Sequence, residues 1–380
     1  GVRPYKMRSP SDYISSRALG VDASGIRKVF DLAAKMKDPI NFSIGLPDFD
    51  VPELAKSAAI DSIRRGDNRY TPTQGIAPLR ERIRKDLSAE IGRDVGEVLI
   101  TSGVSGGLFL AILATINPGD EAIFLDPYFV MYKHLLTLAG GKPVIVDSYP
   151  DFRFYADRVE RAITPQTKLL ILNSPGNPTG AVMSTAEVQA AVELAKKHDL
   201  LIISDEIYEP FLYDAGTGGK LPSPAKLYDK TVILRGFSKS HAMTGWRLGY
   251  ATGCEPIVAQ MAKLQQYTFV CAPSPFQHAA LTAMDISMDH AANAYRKKRD
   301  LVFEKLSKKF EVVKPQGAFY IFPQAPKGAT ATEFVSRAIE KNVLIIPGSV
   351  FSERDTHFRI SYAVSDEKLA QGCEILCALV

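Results

Sequence analysis

The feature that most constrains the fold of this 380-residue chain is a series of short, uniformly apolar runs in its middle. The runs at 169–172, 200–204 and 232–234 are separated by roughly 30 residues, the span of a strand and its crossover helix. Runs without polar alternation belong to strands buried on both faces of a parallel sheet, because the crossovers lay helices over each face. Further runs at 98–101, 122–125 and 143–146 extend the pattern upstream. Between 169–172 and 200–204, Ser184-Thr185-Ala186-Glu187 reads as a capping box, opening a helix that runs to about His198. A second helix is predicted from Ser105-Gly106-Gly107 to Ile116, ended by Asn117-Pro118-Gly119.

After about residue 280 the texture changes. Charged amphipathic helices predicted over 286–309 and 331–341 flank short strands predicted at 318–322 and 357–361. The expectation is an α/β protein with a large domain over 50–280 and a smaller α+β domain built from 1–49 and 281–380.

Composition narrows the class of function. With 46% hydrophobic and 23% charged residues the chain is an ordinary globular protein rather than a disordered or fibrous one. The net charge of +4 is mild. The clusters Arg296-Lys297-Lys298-Arg299 and Lys308-Lys309 have no interleaved aromatics and read as solvated helix faces, so no nucleic-acid partner is expected. Cys254, Cys271, Cys373 and Cys377 show no metal-ligand spacing and read as reduced thiols, with no metal expected. No stretch reaches about 18 apolar residues, and the polar segment Gly1 to Tyr13 has no signal-like core, so the expectation is a cytoplasmic protein away from membranes.

In open parallel sheets, ligands gather beyond the carboxyl ends of the strands. Three polar residues fall there. Asn177 lies in Asn173-Ser174-Pro175-Gly176-Asn177-Pro178-Thr179-Gly180. Asp205 follows the run 200–204, with Tyr208 three residues on. Lys239 closes Gly236-Phe237-Ser238-Lys239. Taken singly, Asp205 reads as a helix cap, Asn177 as a turn residue and Lys239 as a solvated lysine. Together, an amide, an acid and an amine at one crevice suit pyridoxal 5'-phosphate (PLP). That cofactor needs an amine for its aldehyde, a carboxylate for its pyridine nitrogen, donors for its phenolate oxygen and a helix N-terminus for its phosphate.

The run Gly236-Phe237-Ser238-Lys239-Ser240-His241-Ala242-Met243-Thr244-Gly245-Trp246-Arg247-Leu248-Gly249 resembles the lysine signature of class I/II aminotransferases, which are fold type I PLP enzymes. Further matches occur in family order: Gly45-Leu46-Pro47-Asp48-Phe49, Tyr70-Thr71-Pro72, Gly103-Val104-Ser105, Asp126-Pro127-Tyr128-Phe129, Asn177-Pro178-Thr179-Gly180, Asp205-Glu206-Ile207-Tyr208, Gly317-Ala318-Phe319-Tyr320 and Arg359-Ile360-Ser361-Tyr362. The resemblance covers nearly the whole chain. It implies the fold type I architecture: a large domain with a mostly parallel seven-stranded sheet, plus a smaller α+β domain.

The resemblance also implies roles. Lys239 holds the cofactor as an imine and then serves as the proton-transfer base. Asp205 pairs with the pyridine nitrogen, and Asn177 and Tyr208 donate to the phenolate oxygen. Gly103, Val104, Ser105, Ser238 and Arg247 hold the phosphate, while Tyr70 reaches it from the neighbouring subunit of a homodimer. Phe129 stacks on the ring, although by itself it reads equally well as a core aromatic. Arg359 clamps the substrate α-carboxylate, its bland reading being a structural salt bridge, and Gly45 lies beside the substrate. Gly236 departs from relatives that carry serine there, so one phosphate contact is expected to be missing.

The activity so implied is amino transfer between an L-amino acid, aspartate or aromatic, and a 2-oxo acid such as 2-oxoglutarate. The kinetics are ping-pong through pyridoxamine phosphate. Ser105 stands where some aspartate enzymes of this type carry lysine, which weighs against an aspartate specialist. Lys263-Leu264-Gln265-Gln266-Tyr267 is similar to archaeal aromatic aminotransferases. The alternatives are a C–S β-lyase or another fold type I enzyme, and then a non-catalytic PLP-binding regulatory module. The last is disfavoured because 380 residues leave no room for a DNA-binding domain.

Overall fold

Strands with apolar residues on both sides require cover on both sides, and the central sheet receives it. The computed structural model describes residues 8–213 and 219–380, apart from 23, 24, 27, 28, 30, 31 and 33. Of the polar segment Gly1 to Tyr13, the first seven residues lie outside the described residues. The strands are β1 (Ile40–Asn41), β2 (Leu99–Ser102), β3 (Glu121–Asp126), β4 (Lys142–Asp147), β5 (Thr167–Asn173), β6 (Leu201–Asp205), β7 (Thr231–Gly236), β8 (Leu248–Gly253), β9 (Tyr320–Ile321), β10 (Val343–Leu344), β11 (Ile346–Pro347) and β12 (Phe358–Ser361).

Seven of these form one sheet in the order β2-β8-β7-β6-β5-β3-β4. It is parallel except for β8, which runs antiparallel to both β2 and β7. Alternate residues of the same strand enter different cores, as the period of two dictates. Leu169, Ile171 and Ile203 pack with helices α1 (Gly103–Thr115), α2 (Met131–Ala139) and Glu255–Gln265. Leu170, Leu172 and Ile202 pack on the other face with α3 (Thr185–Lys197). The result is an α/β/α sandwich of the fold type I kind, as the sequence led us to expect.

The six strands read from the middle of the sequence are all present, each shifted by no more than a few residues, as are the two read at 318–322 and 357–361. The missed member is β8, Leu-Gly-Tyr-Ala-Thr-Gly, whose glycines hide its strand character. Helix α1 starts at Gly103, two residues before the expected Ser105. The capping box of α3 is formed: Glu187 N donates to Ser184 Oγ, and Ser184 N donates to Glu187 Oε2 at 2.7 Å.

Two smaller sheets stand apart from the large one. β1 pairs in parallel with β10, and β11, β12 and β9 form an antiparallel trio. Helices α4 (Asp289–Leu306), α5 (Ala331–Glu340) and α6 (Asp366–Ala378) carry many of the residues that pack with these strands in a separate core. Ser361 N donates to the carbonyl of Phe42 at 2.8 Å, so the segment after β1 lies against β12.

Candidate active site

Register brings the three polar strand ends together. Asn173 at the end of β5 pairs with Asp205 at the end of β6, and Asp205 pairs with Leu234 of β7. Beyond β7 the chain makes one helical turn, Phe237–Ser240, that turns Lys239 towards the same end of the sheet. There a cleft of about 320 Å³ opens, lined by Gly45, Val104, Ser105, Phe129, Asn177, Asp205, Tyr208, Ser238, Lys239, Arg247 and Arg359. That volume lies within the range of small-molecule sites.

Lys239 Nζ donates to the carbonyl of Gly45 at 2.6 Å. Burial lowers its pKa to about 8, and the Arg359 and Arg247 cations push the same way, with Asp205 opposing. A lysine so depressed has an appreciable neutral fraction at physiological pH, which is what a nucleophilic amine requires. Burial raises the Asp205 carboxyl to about 6, opposed first by a hydrogen bond from Tyr132 and then by the Ile207 amide, while Glu206 adds to the rise. The Tyr132 hydroxyl donates to Asp205 Oδ2 at 2.8 Å.

Arg247 and the start of α1 form an anion cradle. Its guanidinium donates to the carbonyl of Thr244 at 2.9 Å and, more weakly, to that of Ser102 at 3.4 Å. Gly103 has φ +67°, a left-handed backbone that favours glycine, and without a Cβ there the Arg247 guanidinium lies close against the start of α1. Gly236 has a comparable constraint. A Cβ would meet Gly249 Cα at 2.8 Å, which accounts for glycine in place of serine where β7 and β8 press together.

Arg359 is 1% exposed and enters from β12. It donates through Nη1 to Asn177 Oδ1 at 2.9 Å and through Nη2 to the carbonyl of Ser43 at 2.7 Å. Its guanidinium sits 4.6 Å from the Tyr320 ring and 4.7 Å from the Phe351 ring. No carboxylate of the described residues pairs with it, and its buried Nε has no partner among them. A buried cation left in this state is not half of an ion pair among the described residues, and its charge and planar fork could receive a carboxylate. With its oxygen engaged by Arg359, Asn177 has its NH₂ to offer a ligand. The Tyr208 hydroxyl meets that of Tyr320 at 2.8 Å.

Three cations and one buried carboxyl in one cleft suit a ligand with a phosphate, a carboxylate and a basic ring nitrogen. The donor set, the Gly103 cradle and the orphaned Arg359 Nε therefore fit PLP and an amino acid. Tyr70 is not brought into this cleft. It is 84% exposed, on a segment held by a hydrogen bond from Gln265 to the carbonyl of Thr73. Sequence reasoning missed Tyr132, Tyr320 and Ser43. The signals for the first two were present, three residues after Phe129 and inside the Gly317-Ala318-Phe319-Tyr320 match, but nothing local says what either hydroxyl touches.

The sequence profile described as "Aminotransferase class I and II" matches residues 37–376. The chain belongs to the class I and II aminotransferases. An aromatic-amino-acid aminotransferase 2 of Thermococcus litoralis is 36% identical to it over 375 residues, covering 95% of this chain and 96% of that one. A probable aspartate aminotransferase of Methanocaldococcus jannaschii is also 36% identical, covering 96% and 98%. The aspartate aminotransferase of Thermus thermophilus, solved with maleate, superposes with a TM-score of 0.92 at 36% identity, covering 98% of this aminotransferase and all of that chain. This aminotransferase is thus a PLP-dependent enzyme of amino and oxo acids. No helix among its described residues is long and apolar enough to cross a membrane.

Proposed function

We propose that this aminotransferase exchanges the amino group of an L-amino acid, aspartate or aromatic, with a 2-oxo acid such as 2-oxoglutarate. The observation that carries the reading is Lys239 and buried Asp205 facing one cleft with Arg247 and Arg359, neither arginine neutralised by a described carboxylate. When bound there, PLP supplies an electron sink for the pair released at the substrate Cα.

The protein's part follows from its side chains. With PLP in place, Lys239 would hold it through its Nζ and, once free, would move the proton at the substrate Cα. Asp205 keeps the pyridine nitrogen protonated, and Tyr132 keeps Asp205 ionised. Asn177 and Tyr208, which line the cleft, would donate to the phenolate oxygen, and Phe129 would face the ring. Gly103, Val104 and Ser105 present the α1 N-terminus to the phosphate, with Ser238 and Arg247 beside them. Arg359 orients the α-carboxylate, and Gly45 forms the adjoining wall.

The division into a large unit at 50–280 and a small one at 1–49 with 281–380 belongs to the same proposal. The pairing of β1 with β10 supports it. A homodimer belongs to it too, with Tyr70 reaching the partner's phosphate site. Exposed Tyr70, Tyr267, Phe269 and Val270 support that reading as apolar surface in search of cover.

The test is spectral. A true donor should shift the absorbance of the yellow enzyme, and a 2-oxo acid should restore it. Release of ammonia and pyruvate from a thioether substrate without that reversal would indicate a β-lyase instead. Lys239→Ala should lower turnover by about 10²–10⁴-fold or more; activity at the parent level would refute the assignment.

A further inference from the structure

Behind the cleft, at the same strand ends, lies a second cluster of buried charge that the reaction as described does not use. Ser204 and Glu206 share one side of the chain and Asp205 the other, as alternation along extended backbone requires. Arg235 of β7, 5% exposed, reaches Glu206 on that rear side. Its Nε donates to Glu206 Oε2 at 2.8 Å, and its Nη1 and Nη2 fork onto Glu90 at 2.9 and 2.8 Å. Glu209 stands 3.9 Å from the same guanidinium. The other oxygen of Glu206, which is 1% exposed, accepts from Ser204 Oγ at 2.8 Å and Ser223 Oγ at 2.6 Å.

One cation therefore faces three carboxyls, and the cluster is not electrically balanced. Burial raises the Glu209 carboxyl, with Arg235 opposing and Glu90 and Glu206 adding to the rise. Arg235 bonds Glu206 and Glu90 directly, while Glu209 stands off without a hydrogen bond to it. An ion pair as buried as Arg235 with Glu206 seldom adds net stability over an apolar replacement, so stability alone does not explain it. Its location supplies one. Glu206 follows Asp205 directly, and Arg235 precedes Lys239 by one turn of chain.

We propose that Glu206 and Arg235 are positioning residues for amino transfer. The pair locks together the ends of β6 and β7 that carry Asp205 and Lys239, and its charge biases the proton equilibria of those two groups. The proposal rests on the PLP reading above. From the cleft, the groups facing Lys239 are Arg359, Arg247, Asp205 and the Tyr208 ring, and those facing Asp205 are Tyr132, Tyr208 and Lys239. From behind, Glu206 faces Asp205; Glu90, Glu209 and Tyr250 surround Arg235; and Lys220 and Lys226 act on Glu90. Removing the Glu206 charge withdraws negative potential from the cleft, and removing the Arg235 charge withdraws positive potential.

The test is the pH midpoint of the visible absorbance change of the holoenzyme, read beside its thermal midpoint. Glu206→Gln should move the absorbance midpoint down, and Arg235→Gln should move it up, each by about 0.3–1 pH unit for a buried charge in an effective dielectric near 20. Arg235→Lys keeps the charge but loses the fork. It should leave the midpoint in place while raising the dissociation constant of added PLP for the cofactor-free protein several-fold. Opposite shifts are the mark of a charge effect, since a merely structural role lowers the thermal midpoint in both variants and moves the absorbance midpoint in neither. Either glutamine variant alone decides the question if the other fails to fold. A midpoint within 0.1 pH unit of the parent in a folded glutamine variant would overturn the proposal. A parent enzyme with no PLP absorbance would instead overturn the cofactor reading on which it stands.

Discussion

Lys239 and Asp205 are displaced from their ordinary ionisation chiefly by removal from water, with the Arg359 and Arg247 cations adding to the fall of Lys239. Each is an expense to the cofactor-free protein that a bound cation or imine would relieve. The Asp205 carboxyl titrates near 6 in the folded protein against 3.8 in the unfolded chain. Between those values the folded state binds more protons, so this contribution to stability is fully present below about pH 4 and lost as pH rises through 6. Its size is roughly 3 kcal/mol. Asp205→Asn should therefore make the cofactor-free protein more resistant to urea than its parent at pH 7.5, and leave it nearly equal at pH 4. An equal urea midpoint at both pH values would show that the ionised carboxyl costs nothing there. Arg359 makes a different prediction. Lysine can supply the charge but not the planar fork, so Arg359→Lys should raise KM for both amino and oxo acids by about tenfold or more, and reduce kcat less. Steady-state kinetics with each substrate varied would check this; unchanged KM values would mark Arg359 as structural. Both residues were legible in the sequence because an acid at a strand end and an arginine in an apolar strand are locally conspicuous. The Tyr132 hydroxyl that restrains Asp205 was not legible, since a tyrosine on an amphipathic helix looks like any core aromatic.

At the level of elements, local sequence carried most of the information. The α3 capping box is written in Ser184 and Glu187 and is formed by their own backbone neighbours, so no distant contact is needed to predict it. Ser184→Ala should cost about 1 kcal/mol, read as a lower urea midpoint with KM unchanged, because Ser184 is not among the residues that line the cleft. A KM that moved with it would show that α3 is coupled to the site. The glycines tell the opposite story. Gly249 lies where a Cβ would strike the backbone of Gly103 at 2.7 Å, so β8 is a strand whose composition is dictated by a crossing helix rather than by strand propensity. Its signal could not be read from residues 248–253 alone. The short strands β1, β10 and β11 escaped for a related reason, as two residues carry no periodicity.

At the scale of the whole molecule, the site is assembled from parts far apart in the chain. Gly45 and Arg359 arrive with the strands of the two small sheets, while Asp205 and Lys239 arrive with the large one. Tyr70 remains at the surface, and its proposed role in a partner's site has a direct test. Mixed dimers of a Lys239→Ala chain and a Tyr70→Ala chain contain one site with both groups intact only if Tyr70 acts across the interface. Activity well above either parent variant is then expected, and its absence would place Tyr70 elsewhere. The buried apolar runs and their spacing, the helix caps and the lysine signature determined by themselves that the chain would build a parallel α/β sheet with PLP chemistry at its strand ends. Those features are local, and the hydrophobic effect and backbone hydrogen bonding act on them wherever the chain goes. The tertiary structure alone decided which hydroxyl restrains Asp205, which rings enclose Arg359, and how Arg235 joins Glu206 to Glu90. Contacts of this kind, and the ionisation they set, depend on how completely packing excludes water around each charge, and that is a property of the assembled core rather than of any segment.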